Sequence, residues 1–296
     1  MAVSPRLIRG RIKSIASTRK ITKAMELVAA SKMRKSVAMT VSSRAYSSTA
    51  KRIVEDIRKL VDPNTHPLLA GRAAATSIMV IVAASDRGLC GGFNSLIVRK
   101  TLEFLAARTE RDVKIVTVGK RAEAAIRRAG YPILAAFEAV SNAPSYERTR
   151  PVGELAYKEF MDHDVDRVFM MYTDYRSAVS QIPTVVQLLP IIPEAELKDA
   201  GASGAEETES EARALFEPNP REVLDHLLPR LLETRVYQAL LESSSSEHSS
   251  RMMTMRSATD NATGMLDDLT FTYNQARQSG ITREISEISA GKAALE

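Results

Sequence analysis

The stretch PRLIRGRIKSIASTRKITKAMELVAASKMRKSVAMTVSSRAYSSTAKRIVEDIRKL, residues 5–60, decides the fold. After Pro5 and Gly10 it holds no further Pro or Gly, and good helix formers dominate it until Pro63 and Pro67 punctuate its end. Fifty-odd helical residues extend about 80 Å, far beyond an ordinary globular helix. Apolar residues step by four and three through Ile8, Ile12 and Ile15, and again through Ile21, Met25 and Val28. The phase is expected to slip between Ala16 and Lys20. A seam this narrow cannot enclose a core alone; it needs a second helix.

The other end of the chain offers one. After Pro218 and Pro220 a helical pattern runs from Arg221 almost to the C-terminus, with Pro229 expected to kink it or to mark its true start. Between the two ends the texture changes. Apolar β-rich runs at 77–84 (SIMVIVAA), 113–118 (VKIVTV), 131–137, 165–172 and 183–189 alternate with helical stretches at 94–108, 120–129 and 148–162. That alternation marks an α/β domain with a largely parallel sheet. The expected fold is an antiparallel coiled coil of the N- and C-terminal helices with an inserted Rossmann-like α/β domain. Its parts are an N-terminal helix over 1–62, the α/β domain over 76–193, a flexible acidic loop over 194–219 and a C-terminal helix over 220–296. The loop segment carries eight acids and two basic residues, with Gly and Ser throughout.

Charge is spread unevenly. Residues 1–60 hold fifteen Lys or Arg and three acids, a net +12, so the remainder of a +5 chain is −7. The first segment therefore calls for an anionic partner: nucleic acid, an anionic membrane surface or acidic loops of another protein. The stretch 1–25, with seven basic residues and no acid, has the composition of a transit peptide, yet it runs without a break into the helical pattern and reads as structural helix. No apolar run reaches the ~20 residues that span a bilayer.

One cysteine, Cys90, excludes an internal disulfide, and four scattered His make no metal-ligand cluster. The loop Ser85-Asp86-Arg87-Gly88-Leu89-Cys90-Gly91-Gly92 lies between a strand and a helix, the usual place of a phosphate site. Its glycines fit neither G-x-x-x-x-G-K-[ST] nor G-x-G-x-x-G, so it reads as a tight turn with Asp86 and Arg87 pairing locally. Cys90 reads as a small buried or half-buried residue and His248 as a polar residue on a helix face. No catalytic pair of carboxylates stands out, and no catalytic residue, cofactor or metal is expected. Near the C-terminus Ile281, Ile285 and Ile288 form a stripe, with Arg277, Gln278, Thr282 and Glu284 spaced to meet solvent or a partner surface.

Three separated stretches together resemble the gamma subunit of F-type ATP synthases. They are ITKAMELVAASKMR at 21–34, SDRGLCGG at 85–92, and RSATDNA at 256–262 leading into 277–288. The resemblance covers the whole chain. It implies a non-catalytic central stalk that couples proton flow through a membrane ring to ATP synthesis in a ring of alpha and beta subunits. By resemblance, Lys23 and Met25 face acidic loops of the beta subunits, and Arg87 and Cys90 lie at the same level. Arg277, Gln278, Thr282 and Glu284 belong to the contact segment that meets the beta subunits or the upper bearing. The α/β domain docks the epsilon subunit and the membrane c-ring. Ser289 and Lys292 depart from the family's pattern, and a single Cys leaves no room for the dithiol of chloroplast relatives. A bacterial complex, peripheral on the cytoplasmic face of the plasma membrane, is expected. On the residues alone two other classes stay open: a Rossmann-like nucleotide-binding protein, from the strand–Gly loop–helix, and a basic coiled-coil nucleic-acid binder, from the +12 segment. Tyr46 is the one aromatic in that segment, which disfavours base stacking.

Overall fold

The computed structural model describes residues 5–60, 66–72, 75–108, 110, 112–191 and 220–293. The acidic segment expected at 194–219 lies outside them. Two compact units emerge: residues 1–30 with 251–296, and residues 31–250. The two long helices, α1 (Pro5–Leu60) and the C-terminal α5 (Pro220–Ala293), each supply residues to both.

The first unit is a pair of antiparallel helices. Arg9 Nη2 donates to the Tyr273 hydroxyl at 2.6 Å, and the Thr22 and Thr259 hydroxyls lie 2.9 Å apart. Numbers rising on one helix while they fall on the other define the antiparallel sense. On α5 the shielded positions are Met255, Thr259, Ala262, Leu266, Leu269, Tyr273 and Ala276, stepping four and three without a break. On α1 they are Ile8, Ile12, Ile15, Arg19, Thr22, Glu26 and Ala29, with the same steps. The expected phase slip is therefore absent. Ile21 and Val28 are each 57 % exposed and stand outside the seam. From residue 19 onward the seam uses Thr, Ala and the stems of Arg and Glu, whose aliphatic carbons can cover apolar surface.

The second unit holds a five-stranded sheet in the order β3-β2-β1-β4-β5. Its strands are β1 (Ser77–Ala83), β2 (Asp112–Val118), β3 (Ile133–Phe137), β4 (Arg167–Tyr175) and β5 (Gln181–Leu189). All neighbours run parallel except β4 and β5, which form a hairpin. The hairpin starts β5 two residues before the expected Pro183, and that proline is tolerated because β5 is an edge strand. β1 sends Met79, Ile81 and Ala83 to one face and Ile78, Val80 and Val82 to the other. The first face is covered by α4 (Tyr146–Met161) and by Leu224, Leu228, Leu232, Val236 and Leu240 of α5. The second is covered by α2 (Phe93–Ala106) and α3 (Lys120–Arg128) through Ile97, Leu105, Ala122 and Ile126. Each fully buried Ile or Leu contributes roughly 1.5–3 kcal/mol, so β1, buried on both faces, anchors the unit. Pro229 lies nine residues inside α5 and is not its start: Leu228 and Leu232, on either side of it, are both fully buried and hold the helix on the sheet.

Candidate functional site: surfaces for subunit contact

The Gly-rich loop 85–92 follows β1 at the point where the strand order reverses between β1 and β4, the crevice that holds ligands in doubly wound sheets. Here the chain fills that crevice itself. Ser246 Oγ donates to Thr173 O at 3.1 Å, His248 Nε2 lies 3.0 Å from Asn142 O, Ser249 Oγ donates to Ala178 O at 2.8 Å, and Ser250 Oγ donates to Cys90 O at 2.6 Å. Residues 242–249 (ESSSSEHS) are all buried. On the α1 side the Ser245 hydroxyl is 3.0 Å from both Ser36 and Thr40. A helix so polar can be surrounded because serine is small and the hydroxyls of Ser245, Ser246, Ser249 and Ser250 find partners on neighbouring elements. That of Ser244 is buried without one among the described residues. His248 is thus a buried linker, not a residue on a solvated face.

The loop is internally braced. Asn94 Oδ1 accepts from Ser85 N at 3.0 Å, Asn94 Nδ2 reaches Cys90 Sγ at 3.2 Å, and Ser85 Oγ donates to Arg87 O at 2.6 Å. Asp86 reaches across to α3 and the loop beyond β3, accepting from Lys120 N at 3.2 Å and Ser141 Oγ at 3.0 Å. Gly119, which leads into α3, has φ +95°, and a Cβ there would lie 2.2 Å from Ala84 O, so only glycine fits. Leu89 has φ +62° and is 60 % exposed, while the Cys90 side chain is only 2 % exposed. The loop therefore presents Arg87 and Leu89 outward and keeps the thiol inside.

In the first unit, Lys23 is exposed and pairs with Glu26 at 3.0 Å. Met25 is half-buried beside the seam. Ile21, Ala24, Leu27 and Val28 are exposed outside the seam, and Arg19, Lys20, Lys23, Ala24 and Leu27 line a groove on its flank that Thr259 and Thr263 complete. Arg277, Gln278, Thr282 and Glu284 are all exposed, as is every other side chain from 277 to 290. The heptad past Ala276 would need apolar residues at 280, 283 and 287 and meets Gly, Arg and Glu instead; Ile281, Ile285 and Ile288 fall on another phase. Sequence reasoning missed Leu89, the outward face of Ile21, Leu27 and Val28, and the crevice-filling serines. Extending the Ile8–Ile12–Ile15 steps by whole heptads would have found the second of these.

A family model described as ATP synthase matches residues 4–295. An ATP synthase gamma chain from Alkaliphilus metalliredigens is 37% identical over 100% of both chains, and one from Pelotomaculum thermopropionicum is 39% identical over 99% of both. The chain belongs to the ATP synthase gamma chain family. The gamma fold is seen again in solved structures. A chain of the Euglena gracilis mitochondrial ATP synthase (OSCP/F1/c-ring) is 20% identical with TM-score 0.67, covering 98% of this chain and 94% of that one. A chain from the Tetrahymena thermophila enzyme (central stalk/c-ring) is 24% identical with TM-score 0.60, covering 80% of this chain and 99% of that one. In this gamma-family chain the doubly wound sheet serves as a mount for α5, and its ligand crevice is taken up by α5 side chains. No helix among the described residues is long and apolar enough to cross a membrane.

Proposed function

We propose that this chain is the central rotor stalk subunit of an F-type ATP synthase, coupling proton flow through a membrane c-ring to ATP synthesis in an alpha/beta ring. The antiparallel pair α1/α5, with residues 277–290 of α5 all exposed, carries this reading. A helical pair whose outward faces differ in charge and polarity around its circumference can make different contacts with otherwise equivalent partners. It thereby biases each toward a different state.

The subunit itself is non-catalytic in this reading and binds no nucleotide, which the filled crevice beside Cys90 supports. Lys23 and Met25 meet acidic loops of the beta subunits, for which the basic α1 surface is suited. Arg87 and the Cys90 loop engage at the same level, through Arg87 and Leu89 since the thiol is buried. Arg277, Gln278, Thr282 and Glu284 engage the beta subunits or the upper bearing. The α/β domain docks the epsilon subunit and the c-ring. The helix–α/β domain–acidic loop–helix division at 1–62, 76–193, 194–219 and 220–296 remains the working division of labour. The complex sits peripherally on the cytoplasmic face of a bacterial plasma membrane. Co-purification from native membranes in mild detergent tests the reading: alpha, beta and epsilon subunits should accompany the chain, and their absence would sink it.

A further inference from the structure

The turn 66–70, which leads toward β1, is tied down through one imidazole. His66 is 3 % exposed. Its Nδ1 accepts the Leu68 N–H at 3.1 Å, and its Nε2 lies 3.0 Å from Asp225 Oδ1 on α5. A backbone amide can only donate, so Nδ1 carries no proton, and the ring's single proton sits on Nε2 facing the carboxylate. Around this ring the chain closes on itself. His66 O accepts from Leu69 N and Ala70 N at 3.0 and 3.1 Å, and Leu68 O accepts from Ile191 N at 2.8 Å, just past β5. Leu68 and Leu69 are buried in the core that also holds Leu224 and Leu228. The segments that enter and leave the sheet therefore meet α5 at His66.

We propose that His66 is an acid-sensitive clasp: a proton entering at Nδ1 turns that acceptor into a donor facing the Leu68 N–H, opening the turn and loosening the hold of residues 66–70 and 191 on α5. Two donors cannot share a bond, and a buried N–H left without an acceptor is costly. Among the described residues the charged groups facing the ring are both on α5: Asp225 favours the imidazolium and Arg221 opposes it. Burial, with Arg221 beside it, outweighs Asp225 and holds the ring's pKa below its ordinary 6.5. The unfolded ring takes its proton near pH 6.5. The clasp's contribution is therefore complete above that pH and drains away as pH falls below it.

Amide hydrogen exchange of the purified full-length chain, corrected for intrinsic rates and followed from about pH 8 to about pH 5, tests this. Opening at Leu68, Leu69, Ala70 and Ile191 should increase by up to roughly tenfold per pH unit below 6.5, while β1 amides stay protected. His66→Asn keeps an acceptor for the Leu68 N–H, since Asn before Pro67 favours that turn, but it cannot titrate. Its protection should be flat with pH. Asp225→Asn keeps an acceptor oxygen for Nε2 and removes the anion, which lowers the clasped ring's pKa further, so the onset should stay near pH 6.5 and the fall should continue to lower pH. Wild-type protection that is constant with pH overturns the proposal. So does an unchanged fall in His66→Asn, or a parallel loss across β1. If the His66→Asn variant fails to fold, exchange followed on to about pH 4 decides it alone: a fall that levels off in Asp225→Asn at the same pH as in the wild type, or sooner, overturns the proposal.

Discussion

The Ser250 hydroxyl lies 2.6 Å from the Cys90 carbonyl oxygen, binding α5 to the loop after β1 across 160 residues of sequence. The contact does two jobs: it closes the crevice at the sheet's switch point and holds Arg87 and Leu89 in an outward pose. Ser250→Ala should lower stability by about 1 kcal/mol, the usual net worth of such a bond. Urea unfolding measures this, and an unchanged midpoint would show that the loop stands without the tie.

Ser245 is fully buried between Ser36 and Thr40. Replacing it with Leu adds a branched apolar side chain where none fits and removes a hydroxyl that two neighbours use. Overpacking alone costs about 1–3 kcal/mol, so the loss from Ser245→Leu should exceed the loss from Ser245→Ala. Denaturant midpoints of the two variants, compared at equal slope, decide it.

Asp166 sits at the base of the sheet, accepting from the N–H groups of Thr76 at 2.8 Å and Ser77 at 3.0 Å, with Arg72 at 3.1 Å. Burial alone would raise its pKa. The two backbone donors, Arg72 and the Ser77 hydroxyl overcome that and hold the carboxyl well below its ordinary 3.8. A depressed carboxyl stabilises the fold above its unfolded pKa and loses that contribution as pH drops below it. Acid unfolding of Asp166→Asn should therefore start from a less stable protein and show a shallower pH dependence below about pH 4. An unaltered slope would remove Asp166 from the account.

In the rotor role, Met25→Lys places a charge beside the seam and next to Lys23. ATP-driven proton pumping in membrane vesicles should fall further than ATP hydrolysis does. Equal loss of both would indicate failed assembly, and no loss of either would take Met25 out of the contact set.

Much of the α/β unit was legible because SIMVIVAA and VKIVTV are buried on both faces and so read as continuous apolar runs. The helix pair was legible in outline but not in register. Ile21 and Val28 look like seam residues by hydropathy, yet Thr22 and Ala29 occupy the seam, because they continue the Ile8–Ile12–Ile15 heptad and Ile21 and Val28 stand one residue off it. The run Ser243–Ser246 reads as solvated polar sequence. It is buried where hydroxyls of Ser36 and Thr40 on α1 meet Ser245 and the Thr173 carbonyl of β4 meets Ser246, and no local pattern encodes that meeting. The proposed contact roles of Arg87, Arg277 and Gln278 came from resemblance; the structure adds that these residues are exposed and that Cys90 is not.

Ile21, Leu27 and Val28 stand on the outward face of α1 among lysines, with no hydrogen-bonding group at their tips. Directional bonds would have to be broken and remade at every step of a turning shaft, each adding a barrier of its own. Apolar side chains and mobile ammonium groups attract without a preferred angle, so one partner can be exchanged for the next with little friction. In the rotor role, the residues that a pairing seam would have claimed serve instead as a low-friction surface.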